Sequence, residues 1–384
     1  MTGLIRILMT ACLTSLALPA TTAADPVGGE TRDGVLRIDL LPPGPGNPRN
    51  SEGDFIVLAD GRILFIYTHF TGGAGDHAAA HLASRVSADG GETWSAADET
   101  VIANESGLNV MSVSLLRLRD GRIALFYAQK ESESDCRPVM RTSSDEAKTW
   151  SEAVEIIPER EIGYYVLNND RALQLDNGRI ILPLARHHGP DWKKWTPYGQ
   201  IVCYCSDDAG RSWQRGTVAP AAEHDGRAVM LQEPGVVELN DGRLMMLCRT
   251  DAGRQYAAWS SDQGETWTTP QPSDIFSPRS PATIERVPDS DDFLLVWNDH
   301  RDITAELRGL RTPLRLAVSR DNAATWQTVA TLEDDPHGWY CYTAVEIVGD
   351  HVLLAYCAGD RRKNNGLAET RITRLPLARL QQTD

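Results

Sequence analysis

Short apolar runs separated by polar turns fill the chain between residues 34 and 377. Gly34–Leu40 alternates apolar and polar positions, the period-two signature of a half-buried strand. Runs of the same kind follow at Phe55–Leu58, Ile63–Tyr67 and His81–Val86, then at Val113–Leu118, Ile123–Ala128 and Val139–Thr142. Ala172–Leu175, Ile180–Leu184, Gly235–Leu239, Ala282–Val287, Ala344–Val348 and Thr370–Leu377 continue the series. Their lengths suit strands, and no stretch sustains a helical period. Pro42–Pro48 reads as a stiff linker, Thr71–Asp76 as a glycine-rich loop, and the polar, aromatic stretch His187–Tyr198 as an inserted loop over one face.

The turns repeat as well. Ser87-Ala88-Asp89-Gly90-Gly91-Glu92-Thr93-Trp94 returns in the same pattern at Ser143–Trp150, Ser206–Trp213, Ser260–Trp267 and Ser319–Trp326. A second marker, Asp60-Gly61-Arg62, recurs at Asp120–Arg122, Asn177–Arg179 and Asp241–Arg243, with degenerate copies at Asp291-Asp292 and Gly349-Asp350. The chain therefore holds six units of roughly 58 residues, a period that marks a repeat architecture. The Asp or Asn before Gly braces a tight turn, and each closing Trp is expected to be largely buried between neighbouring sheets. Six units of about four strands predict an all-β fold, a six-bladed β-propeller, with Gly34–Leu40 completing the last blade beside Thr370–Leu377.

Composition adds constraints. The formal charge of −15 argues against a nucleic-acid partner, and any anionic ligand needs locally concentrated arginine. Arg6, the apolar run Ile7–Leu18 and the small residues Thr21–Ala24 read as a secretory signal over residues 1–24, leaving 25–384 as a single propeller domain. The apolar run is too short for a confident membrane span, so a secreted or periplasmic monomer is expected. Met9–Cys12 weakly resembles a lipoprotein box, the minority alternative. The other six cysteines have no zinc-ligand spacing, and only Cys341 and Cys357, on adjacent strands, are candidates for a disulfide. The histidines have no spacing that demands a metal; neither metal nor cofactor is called for.

A propeller gathers the starts of its inner strands at one mouth of its channel. Arg49, Glu52, Asp54, Asn169, Asp170, Arg171, Glu233, Arg279, Tyr340 and Tyr342 occupy such positions. Cations, carboxylates and a phenol converging there suit recognition of an anion with acid–base chemistry beside it.

With its repeated boxes and the segment Gln232-Glu233-Pro234-Gly235-Val236-Val237-Glu238-Leu239, the chain resembles the sialidase superfamily, whose repeats are known as Asp-boxes; five are present. The resemblance implies a catalytic Glu233, a binding Arg249 in Leu247-Cys248-Arg249, and a further arginine, Arg311, with Arg308 and Arg315 as close competitors. It implies Tyr340 as nucleophile, in the context Tyr340–Val345, with Tyr342 on the same strand face, and Asp76 as acid/base on the loop before the first box. Arg49 would complete the carboxylate clamp, although the family's Arg-Ile-Pro is replaced here by Pro48-Arg49-Asn50-Ser51-Glu52-Gly53-Asp54. Arg171 is a further binding candidate. The implied activity is an exo-α-sialidase-like glycoside hydrolase acting on glycans that end in an acidic sugar. It would proceed with retention through a tyrosyl intermediate. A lyase or hydrolase for another acidic polysaccharide, and a non-catalytic carbohydrate-binding propeller, are the competing readings.

Overall fold

The computed structural model describes residues 24–381, so the signal read at residues 1–24 lies almost wholly outside the described residues, as does Cys12. Among the described residues the regular structure is strand, interrupted by short 3-10 turns, and no helix is long and apolar enough to cross a membrane.

Three four-stranded antiparallel sheets follow the repeat directly. They are Arg49–Val57 to Glu99–Ile102, Gln232–Glu238 to Gln271–Phe276, and Thr283–Arg286 to Gln327–Glu333. A fourth sheet orders Glu30–Arg32, Val35–Leu41, Thr370–Pro376, His351–Asp360 and Gly338–Val348. In it Ile38 pairs with Ile372, so the strand that precedes the first repeat joins the last one, as expected from its completing the last unit. The second and third repeats depart from the simple scheme. They merge into one nine-stranded sheet, because Tyr164–Val166 pairs antiparallel with Ile180–His188 and meets Cys136 in parallel register.

The boxes form one recurring turn. Ser87 Oγ donates to Asp89 Oδ1 (2.8 Å), and Asp89 accepts the Thr93 N–H (2.9 Å) and hydroxyl (2.6 Å). The same contacts appear at Asp145, Asp208, Asp262 and Asp321. The fifth box residue must adopt positive φ, which explains Gly91 (+88°), Gly210 and Gly264, with Ala147 and Ala323 tolerating it near +60°. The closing tryptophans are less uniform than expected. Trp94 and Trp267 are buried, at 1% and 7% exposure, but Trp150, Trp213 and Trp326 are half-buried. Trp94 lies inside a cluster with Phe55, Phe65 and Leu353, whereas Trp150, Trp213 and Trp326 rest on the margins of theirs.

One irregularity is repeated where it matters. The register of Arg49–Val57 slips between Ser51 and Asp54, that of Asn109–Arg117 between Met111 and Ser114, that of Gln232–Glu238 between Gln232 and Gly235, and that of Gly338–Val348 between Cys341 and Ala344. Each slip contains a residue in the left-handed region: Glu52 (φ +57°), Ser112 (+61°), Glu233 (+43°) and Tyr342 (+58°). Asp170, just before Leu173–Gln174, has φ +56°. Such bulges re-aim a side chain that regular alternation would send elsewhere.

Candidate functional site

Four of these bulge residues meet around a cavity of about 100 Å³ lined by Glu52, Asp76, Ser112, Lys130, Glu233 and Tyr342, among others. Glu233 is buried and accepts from Arg249 Nη1 at 2.6 Å and from the Tyr342 hydroxyl at 3.2 Å, both on Oε1. Burial alone would push its pKa up, but the charges of Arg249 and Arg311 and the two hydrogen bonds hold it below the ordinary glutamate value. Tyr342 moves the other way: burial, reinforced by the negative Glu233, raises its phenol against the pull of both arginines. At rest the pair is thus carboxylate and phenol, with the phenolic proton directed at the carboxylate.

Arg311 lies above the Tyr342 ring (5.3 Å to the centroid) and the Trp339 ring (5.2 Å). Its Nη1, the Nε of Arg249 and the Oε2 of Glu233 are buried without a hydrogen-bond partner among the described residues. Unpaired N–H groups of this kind are costly in a protein interior. Two guanidinium groups with free donors next to a tyrosine–glutamate pair match the needs of an incoming carboxylate. The competitors are elsewhere: Arg315 pairs with Asp299 (2.7 Å), and Arg308 lines a separate cleft with His300.

Tyr340 is not part of this group. Its ring packs in an apolar cluster with Leu354 and against Tyr356 (6.3 Å between centroids, 78°), folded over Gly338. The expectation that Tyr340 would meet Glu233 is corrected: Tyr342 does. The bulge is the physical cause, since two residues, Tyr342 and Thr343, occupy the space opposite Tyr356 and break the alternation that would put both tyrosines on one face. Cys341 between them pairs directly across the sheet with Cys357, yet no disulfide joins the two.

Arg49 is buried and fully engaged. Its Nε donates to Ser51 Oγ (2.8 Å), Nη2 to Glu52 (2.5 Å), and Nη1 to Asp76 (2.5 Å) and the Ala74 carbonyl (3.2 Å). Glu52 in turn accepts from Ser112 Oγ (2.5 Å), and burial raises its pKa. Asp76 reaches the same cavity with a half-exposed side chain; burial opposes its charge, but Arg49 outweighs that and keeps it below the ordinary aspartate value. Arg171 sits apart, donating to Ala282 O (3.0 Å) and Asp170 O (2.9 Å) in a different cavity of about 310 Å³. Asp54, Asp170, Glu285 and Glu346 line that cavity too.

Residues 109–354 match the BNR repeat-like domain family. The chain belongs to that family, within the sialidase superfamily. A sialidase of Clostridium perfringens is 28% identical over 242 residues, 56% of this chain and 59% of that protein. A sialidase of Micromonospora viridifaciens is 24% identical over 409 residues, 92% of this chain and 59% of that one. The chain thus spans about three-fifths of the length of both relatives. Among solved structures, Trypanosoma rangeli sialidase in complex with the inhibitor DANA superposes with a TM-score of 0.69 at 16% identity, covering 91% of this chain and 60% of that one. A Dyadobacter fermentans protein of unknown function gives 0.67 at 18%, covering 90% and 100%. The fold is shared with these two solved structures.

Several lining residues of the cavity went unremarked in the sequence, Ser112, Lys130 and Tyr164 among them. Lys130 is buried and donates to the Asp76 carbonyl (2.6 Å) beneath the Tyr164 ring (5.5 Å), and Ser112 braces Glu52. Lys130 ends a strand that reads as core, and Tyr164 stands outside the repeat, so neither had a motif to mark it.

Proposed function

We propose that the chain is an exported exo-glycosidase that removes a terminal sialic acid or a related acidic sugar with retention of configuration, and that Tyr342 is its nucleophile. The observation that carries this reading is the Tyr342–Glu233 contact with the unpartnered donors of Arg249 and Arg311 beside it. A substrate carboxylate would accept from both arginines. As the Tyr342 oxygen attacks the anomeric carbon, its proton passes to Glu233, the glycosidic C–O bond breaks, and Asp76 protonates the leaving oxygen. Asp76 then deprotonates water, which attacks the same carbon; Tyr342 leaves and regains its proton. A phenol suits this role because a carboxylate nucleophile would be repelled by a carboxylate on the anomeric carbon.

Arg49 bears on which acidic sugar fits. Glu52 and Asp76 occupy its fork, so the clamp in this chain is formed by two arginines, and the Arg49 side presents carboxylate oxygens instead. That supports a related acidic sugar carrying hydroxyl donors on that side. A six-bladed ring is the architecture we infer around the site, supported by the contact of Arg49–Val57 with both Asn109–Arg117 and Gly338–Val348.

The test is trapping. Incubation with 2,3-difluorosialic acid, the compound in the covalent-intermediate structure of the Trypanosoma rangeli enzyme, is expected to leave a mass adduct on the peptide containing Tyr342. Tyr342→Phe is expected to abolish the adduct and lower turnover of acidic α-glycosides at least about a thousandfold, while Tyr340→Phe retains both. An adduct on Tyr340 would move the nucleophile. Absence of any adduct, together with no release from a panel of acidic α-glycosides, would refute the hydrolase.

A further inference from the structure

Gly338–Val348 is an end strand of its sheet, and Tyr342 and Thr343 form the bulge in it, where the pairing with His351–Asp360 is interrupted. Their carbonyls are held from other units of the chain. Asn169 Nδ2 donates to the Tyr342 carbonyl (3.0 Å), and Thr283 Oγ1 to the Thr343 carbonyl (2.7 Å). We propose that Asn169 and Thr283 are positioning residues for Tyr342: by holding these two carbonyls they fix the left-handed turn that aims the phenol at Glu233. The inference rests on the reading of Tyr342 as nucleophile and adds the groups that set its geometry.

Both side chains are buried, at 0% and 2% exposure, and neither lines the Tyr342 cavity. Asn169 Nδ2 also donates to the carbonyl of Gly53 (2.9 Å), the residue after Glu52, so one amide joins the bulges of the first and last units. Both of its acceptors are carbonyls, and only the nitrogen of the amide can face them; an aspartate of the same shape would set oxygen against oxygen. The Thr283 hydroxyl is oriented in turn by Arg171, whose Nη1 and Nη2 donate to Oγ1 at 3.3 and 3.4 Å, leaving its one proton for Thr343. Arg171 thus acts on the bulge through Thr283. Asp170, between Asn169 and Arg171, accepts the Val345 N–H on Oδ2 (3.0 Å) just beyond the bulge.

A bulky residue keeps a positive φ only where its surroundings over-determine it. Around Tyr342 (φ +58°) that constraint consists of the two donors and the Asp170 acceptor. Loss of one donor leaves a buried carbonyl without its partner, and the bulge relaxes to regain one. The hydroxyl then shifts from Glu233, and a shift of about 1 Å at a reacting group can cost about a hundredfold in rate. Arg249 and Arg311 are carried on other elements, at the end of Leu244–Arg249 and before Leu314–Ser319, so substrate capture does not depend on this turn.

The experiment reads kcat and KM on one acidic α-glycoside, per folded chain, for Thr283→Val, Thr283→Ser and Asn169→Ala in the full chain. Thr283→Val keeps the shape of the side chain and removes the hydroxyl. It is expected to lower kcat by roughly ten- to a hundredfold and to change KM by less than about twofold. Asn169→Ala is expected to do the same, whereas Thr283→Ser, which keeps the donor, stays within about threefold of the wild type. An unchanged kcat in Thr283→Val, or a Thr283→Ser variant as slow as Thr283→Val, overturns the proposal. Should Asn169→Ala fail to fold, the two Thr283 variants decide alone. If the wild type turns over no acidic glycoside, the hydrolase reading fails by itself. Crystal structures of the wild type and Thr283→Val then decide the positioning: a phenol moved away from Glu233 supports it, and an unmoved one overturns it.

Discussion

A difference of two residues separates a packing tyrosine from one that meets Glu233. Tyr340 and Tyr342 are chemically identical and lie on one strand, but only Tyr342 adopts φ +58° and reaches Glu233. Left-handed backbone at a bulky residue costs on the order of 1–3 kcal/mol, and such strain collects where the surrounding structure demands a particular aim. Asp76 shows a second tension. A general acid must carry a proton, yet Arg49 holds this carboxyl below its ordinary value, so at neutral pH it is ionised. Protonated enzyme becomes more abundant as pH falls, and activity on acidic glycosides is expected to rise toward acid. Arg49→Met removes the cation, which lets the Asp76 pKa climb and moves the basic limb of the kcat/KM profile to higher pH. A limb that stays in place, or moves down, excludes Asp76 as the acid. The sequence pointed to Glu233, Arg249, Arg311, Asp76 and Arg49, because motif and spacing locate residues along a chain. It favoured Tyr340 over Tyr342, since the geometry is set by a backbone dihedral that no local residue preference at Tyr342 announces.

At the scale of the element, the turn is the unit that was most readable. Ser and Asp at fixed offsets, with Gly or Ala at the fifth place, dictate one hydrogen-bonded loop whatever surrounds it. Depth of burial at the closing tryptophan was not readable, because it depends on what the adjacent sheet presents. Trp94→Ala is therefore expected to cost about 3–5 kcal/mol in denaturant unfolding, as deletion of a large core aromatic does, and Trp326→Ala clearly less. Equal losses at the two positions would contradict the difference in burial. The merging of the second and third repeats was hidden for a similar reason. Tyr164–Val166 is three residues long, has no counterpart in the other units, and joins its neighbours only through tertiary pairing.

At the scale of the molecule, Asp54, Asp170, Glu285 and Glu346 from four separate strands and turns gather in one cavity. Asp170 is raised to about 6 by burial against the pull of Arg171, and Glu346 to about 8 by burial and the nearby Asp170. A carboxyl whose folded pKa is raised contributes stability that is complete below its unfolded value, about 4.5 for Glu346, and disappears as pH rises through about 8. The Tm of the wild type relative to Glu346→Gln is thus expected to fall between pH 5 and pH 9; parallel curves would count against a neutral Glu346 in the fold. The pairing of Val35–Leu41 with Thr370–Pro376 has a consequence in time as well as in space. On the ribosome, which adds ~5–20 residues per second, the early strand waits on the order of tens of seconds before its partner exists. Until then Ile38, Leu40 and Leu41 lack the part of their cover that Leu353, Ala355 and Ile372 supply, and an open strand edge is exposed to other nascent chains. That edge stays open to association until Thr370–Pro376 has emerged and paired.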